Sequence, residues 1–191
     1  FDEIFVGFAR TGLGMFACAA AGVLPDIITL SKALTGGTLP LAATVARARV
    51  FDAFWDDDPL KALMHGPTYM GNALACAAAN ASLDLFERED RLGQAQRIER
   101  QLRAELEPAR ALPGVRDVRA LGGIGVIELS HLGDAAWLKQ RFRELGVWLR
   151  PFGTILYTTP PLTIGEGDLR HLTGALVTVA GEWSDRFGKG E

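Results

Sequence analysis

The sequence predicts an α/β fold, and two observations support this prediction. Short apolar runs bounded by glycine, proline or charged residues alternate with longer segments in which apolar residues recur at helical spacing. From about residue 89 onward the expected order is a helix and then strand, strand, helix, strand, strand, helix, which is typical of an α+β unit. We therefore expect one α/β domain at 1–88 and a small α+β domain at 89–191.

In the first domain, apolar runs predict strands at 4–6, 27–30 and 41–45. A helical crossover through 15–22 would join the first two strands as parallel neighbours. A short helix is expected at 47–55, with a polar aspartate turn after it. The alanine-rich segment 73–88 predicts a helix that packs closely against its neighbours.

The second domain should begin with a helix at 91–110, since a single apolar stripe runs through Leu92, Ala95, Ile98, Leu102 and Leu106. A break follows at a proline–glycine pair. The remaining segments predict strands at 115–119, 125–129, 147–149 and 154–157, and helices at 134–145 and 166–183.

Composition favours a folded cytoplasmic enzyme. The chain has 191 residues, of which 48% are hydrophobic, and its formal net charge is −3, so charge gives no reason to expect nucleic acid or a membrane as a partner. Its apolar runs are shorter than the roughly 20 residues that a membrane helix needs. The three histidines lie too far apart in sequence to suggest a metal site.

An acid and a lysine lie beside the first two predicted strands. Asp2 precedes the run 4–6, and Lys32 follows the run 27–30. Pyridoxal phosphate needs both groups: an amine to form a Schiff base with its aldehyde, and a carboxylate to keep its ring nitrogen protonated. Spacing alone favours the plainer interpretation, in which Asp2 is a strand-end acid and Lys32 a surface lysine.

Four sequence motifs favour the pyridoxal phosphate interpretation over the plainer one. They are Asp-Glu-Ile at 2–4, Ser-Lys-Ala-Leu-Thr-Gly-Gly at 31–37, His-Gly-Pro-Thr at 65–68 and Arg-Pro-Phe-Gly at 150–153. In this order the motifs resemble the class III, fold-type I aminotransferases, which depend on pyridoxal phosphate. Members of that family are about twice as long, so the resemblance implies a carboxyl-terminal half. Residues 1–88 would then be the end of the large cofactor domain, without the phosphate-binding turn that precedes it.

The resemblance implies cofactor roles for particular residues. Lys32 would form the Schiff base, Asp2 would pair with the ring nitrogen and Ile4 would press on the ring. Pro67 and Thr68 would reach the cofactor phosphate of the neighbouring subunit, which makes a homodimer with shared active sites the expected assembly. Without the resemblance, the segment 65–72 is better explained as a turn before a helix, capped by Thr68 or Asn72.

The resemblance is strongest to the biotin-pathway branch of the family. That branch implies transfer of an amino group to 8-amino-7-oxononanoate, giving 7,8-diaminononanoate, with S-adenosylmethionine as the donor. Arg150 would bind the carboxylate of the substrate, and Lys32 and Gly66 would also contact the substrate. Arg10 is a second candidate for anchoring the substrate, and it follows Ala9 at a position where the family usually has glycine. The alternatives are another class III enzyme acting on an omega-amino acid or diamine, or a noncatalytic fragment.

Overall fold

The computed structural model describes residues 1–188, and it divides the chain into two compact units. The first unit is Phe1–Arg91, and the second begins at Leu92. No helix within residues 1–188 combines the length and the apolar character needed to cross a membrane.

The first unit contains a two-stranded sheet and one long helix. Its strands, β1 and β2, are antiparallel, with Ile27 opposite Ala46 and Leu30 opposite Ala43. The start of the chain lies on the other side of β1, where Asp2 and Thr29 form a parallel bridge. The elements are α1 (Ala17–Ala20), β1 (Ile27–Leu30), a 3-10 helix (Lys32–Thr35), β2 (Ala43–Ala46), α2 (Ala48–Asp52), a 3-10 helix (Pro59–Lys61) and α3 (Ala73–Arg88).

Small residues let α3 pack closely beneath the 3-10 helix Lys32–Thr35. The buried positions of α3 are Ala75, Ala79 and Ser82, which lie on one face of the helix. The Ser82 hydroxyl donates to the Ala33 carbonyl oxygen at 3.0 Å. The buried cluster of this unit is small and consists of Phe8, Leu30, Leu34 and Ala79.

A long segment of the first unit is exposed. Every residue from 51 to 74 is exposed, although the segment is rich in large apolar side chains. Trp55 is 75% exposed, Leu60 is 88% exposed and Tyr69 is 83% exposed. Exposed apolar surface of this extent is typical of a surface that contacts another polypeptide.

The second unit consists of a three-stranded antiparallel sheet and three helices. Its strands lie in the order β3-β4-β5. The elements are α4 (Arg91–Leu106), a 3-10 helix (Glu107–Ala111), β3 (Val115–Leu121), β4 (Ile124–Leu129), α5 (Ala135–Glu144), β5 (Ile155–Thr158) and α6 (Glu166–Phe187).

The core of the second unit is large and apolar. The largest fully buried side chains come from all of its helices and from two strands: Ile98, Leu102, Leu106, Ile127, Leu129, Leu138, Phe142, Leu156, Leu169, Leu176 and Trp183. At its centre, Trp183 is 0% exposed and its indole N–H donates to the Leu132 carbonyl oxygen at 3.1 Å. Burial of so many large side chains stabilises this unit from within.

β3 is an edge strand with a charged outer face. The pairing with β4 shifts between Val115 and Asp117, which marks a β-bulge or irregularity. Arg119 forms ion pairs with Asp117 at 3.0 Å and with Glu128 at 2.5 Å. The buried residues Val118 and Ala120 alternate with these charged side chains.

The predicted fold class is confirmed, and the helix predicted at 73–88 has the observed bounds of α3. Most predicted strands and helices are present with shifted ends. The helix predicted at 91–110 is wrong at its end, because α4 stops at Leu106 and a 3-10 helix containing Pro108 follows. Proline cannot continue an α-helix because it lacks a backbone N–H.

Two predicted strands are wrong. Residues 4–10 form turns rather than a strand, since the Gly7 N–H donates to the Glu3 carbonyl oxygen at 3.0 Å. Residues 147–150 belong to no strand or helix of the described chain. There the Val147 N–H closes the end of α5 by donating to the Phe142 carbonyl oxygen at 3.0 Å.

Candidate active site

Lys32 occupies a strained position directly after β1. It begins the 3-10 helix Lys32–Thr35, and its φ angle is 43°. A left-handed backbone is unfavourable for a residue with a Cβ, by about 1–2 kcal/mol. The turn is held by the Ser31 hydroxyl, which donates to the Leu41 carbonyl oxygen at 2.7 Å. Such strain persists where the surrounding structure enforces it, which is common at functional sites.

Asp2 lies beside the same strand, on the parallel neighbouring segment. The Glu3 N–H donates to the Thr29 carbonyl oxygen at 3.0 Å, and the Thr29 N–H donates to the Phe1 carbonyl oxygen at 2.9 Å. Asp2 is exposed, and its Oδ1 accepts from the Ile4 N–H at 2.8 Å. Asp2 is therefore level with Thr29, about 10 Å before Lys32 along the strand direction.

The side chains of Phe5 and Lys32 show that these two segments meet. The Lys32 Nζ lies over the Phe5 ring, 4.5 Å from its centroid. The structure thus places Asp2 beside Thr29 of β1, and it brings Phe5 of the same segment, which also contains Ile4, to the Lys32 amine. The amine and the carboxylate are both accessible, as a Schiff base and an ion pair with a ring nitrogen would require.

Glu3 is a buried acid whose role the sequence analysis missed. It is 1% exposed, and its carboxylate oxygens accept from the Ala17 N–H at 3.1 Å and from the Cys18 N–H at 2.7 Å. Burial raises the pKa of the Cys18 thiol, and the adjacent Glu3 carboxylate raises it further. Glu3 therefore fixes the segment that carries Asp2 against α1. The sequence signal was a charged residue beside an apolar run and ahead of a possible helix.

Arg10 follows two residues with left-handed backbone. Phe8 has a φ angle of 58° and Ala9 one of 62°, and both side chains are buried. The Ala9 N–H donates to the Met15 carbonyl oxygen at 3.1 Å, which closes the turn. Burial lowers the pKa of the Arg10 guanidinium below its ordinary value. Within this turn Arg10 is half-buried, and the following Thr11 hydroxyl is buried with no hydrogen-bond partner among the described residues.

Gly66, Pro67 and Thr68 lie in the exposed segment before α3. The Met70 N–H donates to the Pro67 carbonyl oxygen at 2.9 Å, and this turn contains Thr68. The cap of α3 is Asn72, whose side-chain oxygen accepts from the Ala75 N–H at 3.0 Å. Since Asn72 caps the first turn of α3, the Thr68 hydroxyl is not needed as a cap, and Thr68 is exposed.

Arg150 belongs to the second unit. It lies in the segment between α5 and β5, where exposed residues alternate with buried or partly buried ones. Trp148 is 78% exposed and Phe152 is 73% exposed, so Arg150 is exposed between two exposed aromatic residues. The Phe152 N–H and carbonyl oxygen bond with Ile155 at 3.0 Å and 2.9 Å, which holds the loop in shape.

Comparison with known proteins identifies the family. The model of the class III aminotransferases matches residues 1–179. The chain belongs to the class III aminotransferases. Class III enzymes depend on pyridoxal phosphate, and the lysine and aspartate at the end of β1 are the donor types that this cofactor needs.

Curated class III relatives share a specific name. The adenosylmethionine-8-amino-7-oxononanoate aminotransferase of Buchnera aphidicola subsp. Schizaphis graminum is 44% identical over 176 residues, which are 92% of this chain and 40% of that protein. The protein of the same name from Corynebacterium glutamicum is 44% identical over 182 residues, covering 95% of this chain and 43% of that protein. The chain thus spans about two-fifths of the length of these relatives.

Solved class III structures show the same fold. The adenosylmethionine-8-amino-7-oxononanoate aminotransferase of Methanocaldococcus jannaschii is 35% identical with a TM-score of 0.84, and the match covers 94% of this chain and 44% of that one. The omega transaminase of Pseudomonas jessenii in complex with PMP is 29% identical with a TM-score of 0.88, covering 98% of this chain and 44% of that one. The predicted fold-type I architecture is therefore confirmed.

Proposed function

We propose that this chain is the carboxyl-terminal part of a pyridoxal-phosphate-dependent aminotransferase of biotin synthesis. The protein would convert 8-amino-7-oxononanoate to 7,8-diaminononanoate, with S-adenosylmethionine as the amino donor and a location in the cytoplasm. The observation that carries the proposal is the strained, accessible Lys32 at the end of β1, with Asp2 on the adjacent parallel segment. The shared name of the curated relatives supports this substrate.

The donor set at the end of β1 fits pyridoxal phosphate. When bound, that group supplies an electron sink for the bonds of an amino-bearing carbon. Asp2 Oδ1 accepts from the Ile4 N–H, and the second carboxylate oxygen would pair with the ring nitrogen. A carboxylate there favours the protonated nitrogen. Ile4, Pro67 and Thr68 complete the proposed set, with Ile4 against the ring and the Thr68 hydroxyl donating to the phosphate.

Lys32 would act both as the covalent anchor and as the base. Its Nζ is the amine that joins the aldehyde. Once a substrate amine has displaced it, the same nitrogen would take the proton from the amino-bearing carbon of the substrate and deliver it to the carbon that was the carbonyl carbon of the cofactor. The 3-10 turn that holds Lys32 keeps this nitrogen at the end of β1 in both roles.

Arg150 would select the substrate. A planar guanidinium can bind a carboxylate through two hydrogen bonds, which suits the acid group at the far end of a long amino-oxo acid. Trp148 and Phe152, exposed on either side, offer apolar surface for the aliphatic chain between the acid and the ketone. Gly66 and Arg10 are further proposed contacts, with Arg10 less accessible because it is half-buried.

A homodimer is the proposed assembly. The segment 51–74 contains Gly66, Pro67 and Thr68 and exposes many large apolar side chains, which suits contact with a second subunit. In a shared site, Thr68 of one subunit serves the cofactor of the other. Inactive Lys32→Ala and Thr68→Ala proteins should then regain activity when mixed as heterodimers, because one of the two sites is intact.

The second candidate is a class III enzyme that acts on an omega-amino acid or a diamine. The omega transaminase matches, with a TM-score of 0.88, favour it. Arg150 distinguishes the two candidates in the full-length protein. Arg150→Ala should lower the specificity of the half-reaction with 8-amino-7-oxononanoate by about 30- to 1000-fold, equal to about 2–4 kcal/mol, because a carboxylate loses a charge-assisted bidentate partner.

The experiment measures both half-reactions by stopped-flow absorbance with adenosylmethionine, lysine or alanine as donor. Arg150→Lys should recover only part of the loss. Arg143→Ala, which removes another exposed arginine of the second unit, is the matched control and should leave both half-reactions unchanged. Equal losses in the two half-reactions, or none, would exclude the proposed role of Arg150. Absence of any donor half-reaction in the full-length protein would support a noncatalytic chain.

A further inference from the structure

The amine of Lys32 has a specific neighbour that the proposed mechanism does not use. Its Nζ lies 4.5 Å from the centroid of the Phe5 ring. The negative face of an aromatic ring attracts an ammonium group at this distance. Among residues 1–188, no ion pair of Lys32 competes with this contact. The Phe5 ring is therefore the group that holds the free amine.

Phe5 is held in place by its neighbours along the chain. Its ring is 42% exposed, so packing of the ring itself contributes little. The residue lies in a turn closed by the Gly7 N–H, which donates to the Glu3 carbonyl oxygen at 3.0 Å. Glu3 in turn is fixed to Thr29 through its N–H and to α1 through its buried carboxylate.

Lys32 is held equally firmly. Its left-handed backbone sets the direction of its side chain, and the Leu34 N–H donates to the Ser31 carbonyl oxygen at 2.9 Å to close the turn. Both partners of the contact are thus fixed through their backbones. The contact follows from the fold, and it lies at the amine on which the proposed chemistry depends.

We propose that Phe5 is a positioning residue that stabilises the free amine of Lys32. The inference rests on the proposed function, in which this amine alternates between a free state and a state joined to a carbonyl carbon. In that reaction a C–N bond forms and the C–O bonds break. The oxygen leaves as water with two of the ammonium hydrogens, and the nitrogen keeps the positive charge. When a substrate amine displaces Lys32, a C–N bond to the substrate nitrogen forms, the C–N bond to Lys32 breaks, and two protons of the substrate ammonium pass to Lys32, which leaves as an ammonium. By favouring this ammonium the ring favours release of the lysine, which then loses one proton before it acts as the base.

The expected size of the effect follows from the contact. A cation over an aromatic ring at an exposed site is stabilised about two- to five-fold, equal to about 0.5–1 kcal/mol. Phe5→Leu keeps an apolar side chain of similar size but removes the aromatic face. Lys32 of that variant should therefore react with aldehydes about two- to five-fold more readily than in the wild type. Phe5→Tyr keeps the ring and should match the wild type.

Two probes test this in the full-length protein. The first is reductive methylation with formaldehyde and a borane reductant that supplies hydride, followed by mass spectrometry of Lys32. Lys139, an exposed lysine of α5, is the internal reference in every sample. The second is titration of the cofactor-free protein with pyridoxal phosphate, with borohydride trapping at Lys32. Both probes should show the increase in Phe5→Leu, with an unchanged rate at Lys139.

The outcomes separate the inference from the proposed function. Equal reactivity of Lys32 in the wild type and in Phe5→Leu would overturn the inference, as would an increase in Phe5→Tyr as large as that in Phe5→Leu. Methylation that responds to Phe5→Leu, without any trapping of pyridoxal phosphate on Lys32, would support the contact and overturn the proposed function. Phe5→Met replaces Phe5→Leu if leucine lowers the melting temperature.

Discussion

The two units of this chain differ in where their apolar side chains lie. The second unit buries Trp183, Phe142 and Leu176 completely, whereas the first unit leaves Trp55 and Leu60 almost fully exposed. All proposed cofactor contacts nevertheless lie in the first unit. The apolar core that stabilises the chain is therefore largest in the second unit. The residues proposed to bind the cofactor lie in the first unit, which has a small buried cluster and many exposed apolar side chains.

Backbone strain follows the same division. The non-glycine residues with positive φ among residues 1–188 are Phe8, Ala9 and Lys32, all in the first unit. Each such residue is unfavourable by about 1–2 kcal/mol. The unit with the smaller buried cluster therefore also carries this strain, close to the residues proposed to act on substrate.

Loss of the Lys32 amine should give the largest effect. Lys32→Ala in the full-length protein should reduce turnover by at least about 10²- to 10⁴-fold, because both a nucleophile and a general base are removed. Steady-state assay with the best donor measures this. Lys139→Ala, in the second unit, is the control and should retain activity. Normal multiple turnover by Lys32→Ala would remove the proposed chemistry from the first unit.

A pair of tryptophan substitutions tests the comparison of cores. Trp183→Ala should destabilise the second unit by about 3–5 kcal/mol, because a large cavity forms and the indole hydrogen bond is lost. Trp55→Ala should change the stability of the 191-residue chain by no more than about 0.5 kcal/mol, as expected for an exposed side chain. Urea unfolding followed by circular dichroism measures both. Similar losses from the two substitutions would contradict the difference between the units.

Replacing alanine by glycine at two positions tests the backbone strain of the first unit. Ala9→Gly should stabilise the protein by about 1 kcal/mol, because glycine adopts a left-handed backbone without a Cβ clash. The matched change Ala79→Gly, in the interior of α3, should destabilise it by about 1 kcal/mol or more. Thermal unfolding gives both signs in one experiment. Destabilisation by Ala9→Gly would show that contacts of the buried Ala9 methyl group outweigh the strain.

An ion pair of the second unit should have the smallest effect. Arg141 contacts Glu182 through two hydrogen bonds of 2.7 Å, which lowers the pKa of that carboxyl below its ordinary value of 4.5. The stabilisation is therefore present above pH 4.5 and is lost as the pH falls through the lowered pKa. Glu182→Gln should lower the melting temperature slightly at pH 7 and have less effect at acid pH. Asp185→Asn is the control. If Glu182→Gln lowered the melting temperature equally at both pH values, the ion pair would not be the source of the stabilisation.

The sequence predicted correctly those helices in which the spacing of apolar residues agrees with the face that is buried. Ala95, Ile98, Leu102 and Leu106 of the predicted stripe are buried, because helical spacing places them on one face, whereas Leu92 at the start of the helix is 37% exposed. The strand predicted at 4–6 was wrong because apolar character cannot reveal the Glu3 carboxylate, whose bonds to α1 hold a turn there. These bonds join residues that are distant in sequence.

The candidate site was predicted in part. Asp2 lies beside Thr29 of β1 and Lys32 follows the end of that strand, and motif resemblance pointed to both, although spacing favoured surface residues. The contact of Phe5 with Lys32 was not predicted, because Lys32 has a left-handed φ angle, which the sequence does not indicate for a residue other than glycine. The roles of Thr68, Arg150 and Arg10 stay predictions.

The charged edge strand β3 has a consequence for solubility. An edge strand with free backbone groups can pair with the edge of another molecule and begin aggregation. In β3 the irregular pairing near Val115 and Asp117 interrupts a regular edge, and the charged side chains of Arg116, Asp117 and Arg119 lie along it. Pairing with the edge of another molecule would have to accommodate these charges and the ion pairs that Arg119 forms with Asp117 and Glu128, which disfavours it. The strand that completes the sheet of the second unit therefore also discourages growth of that sheet from one molecule into the next.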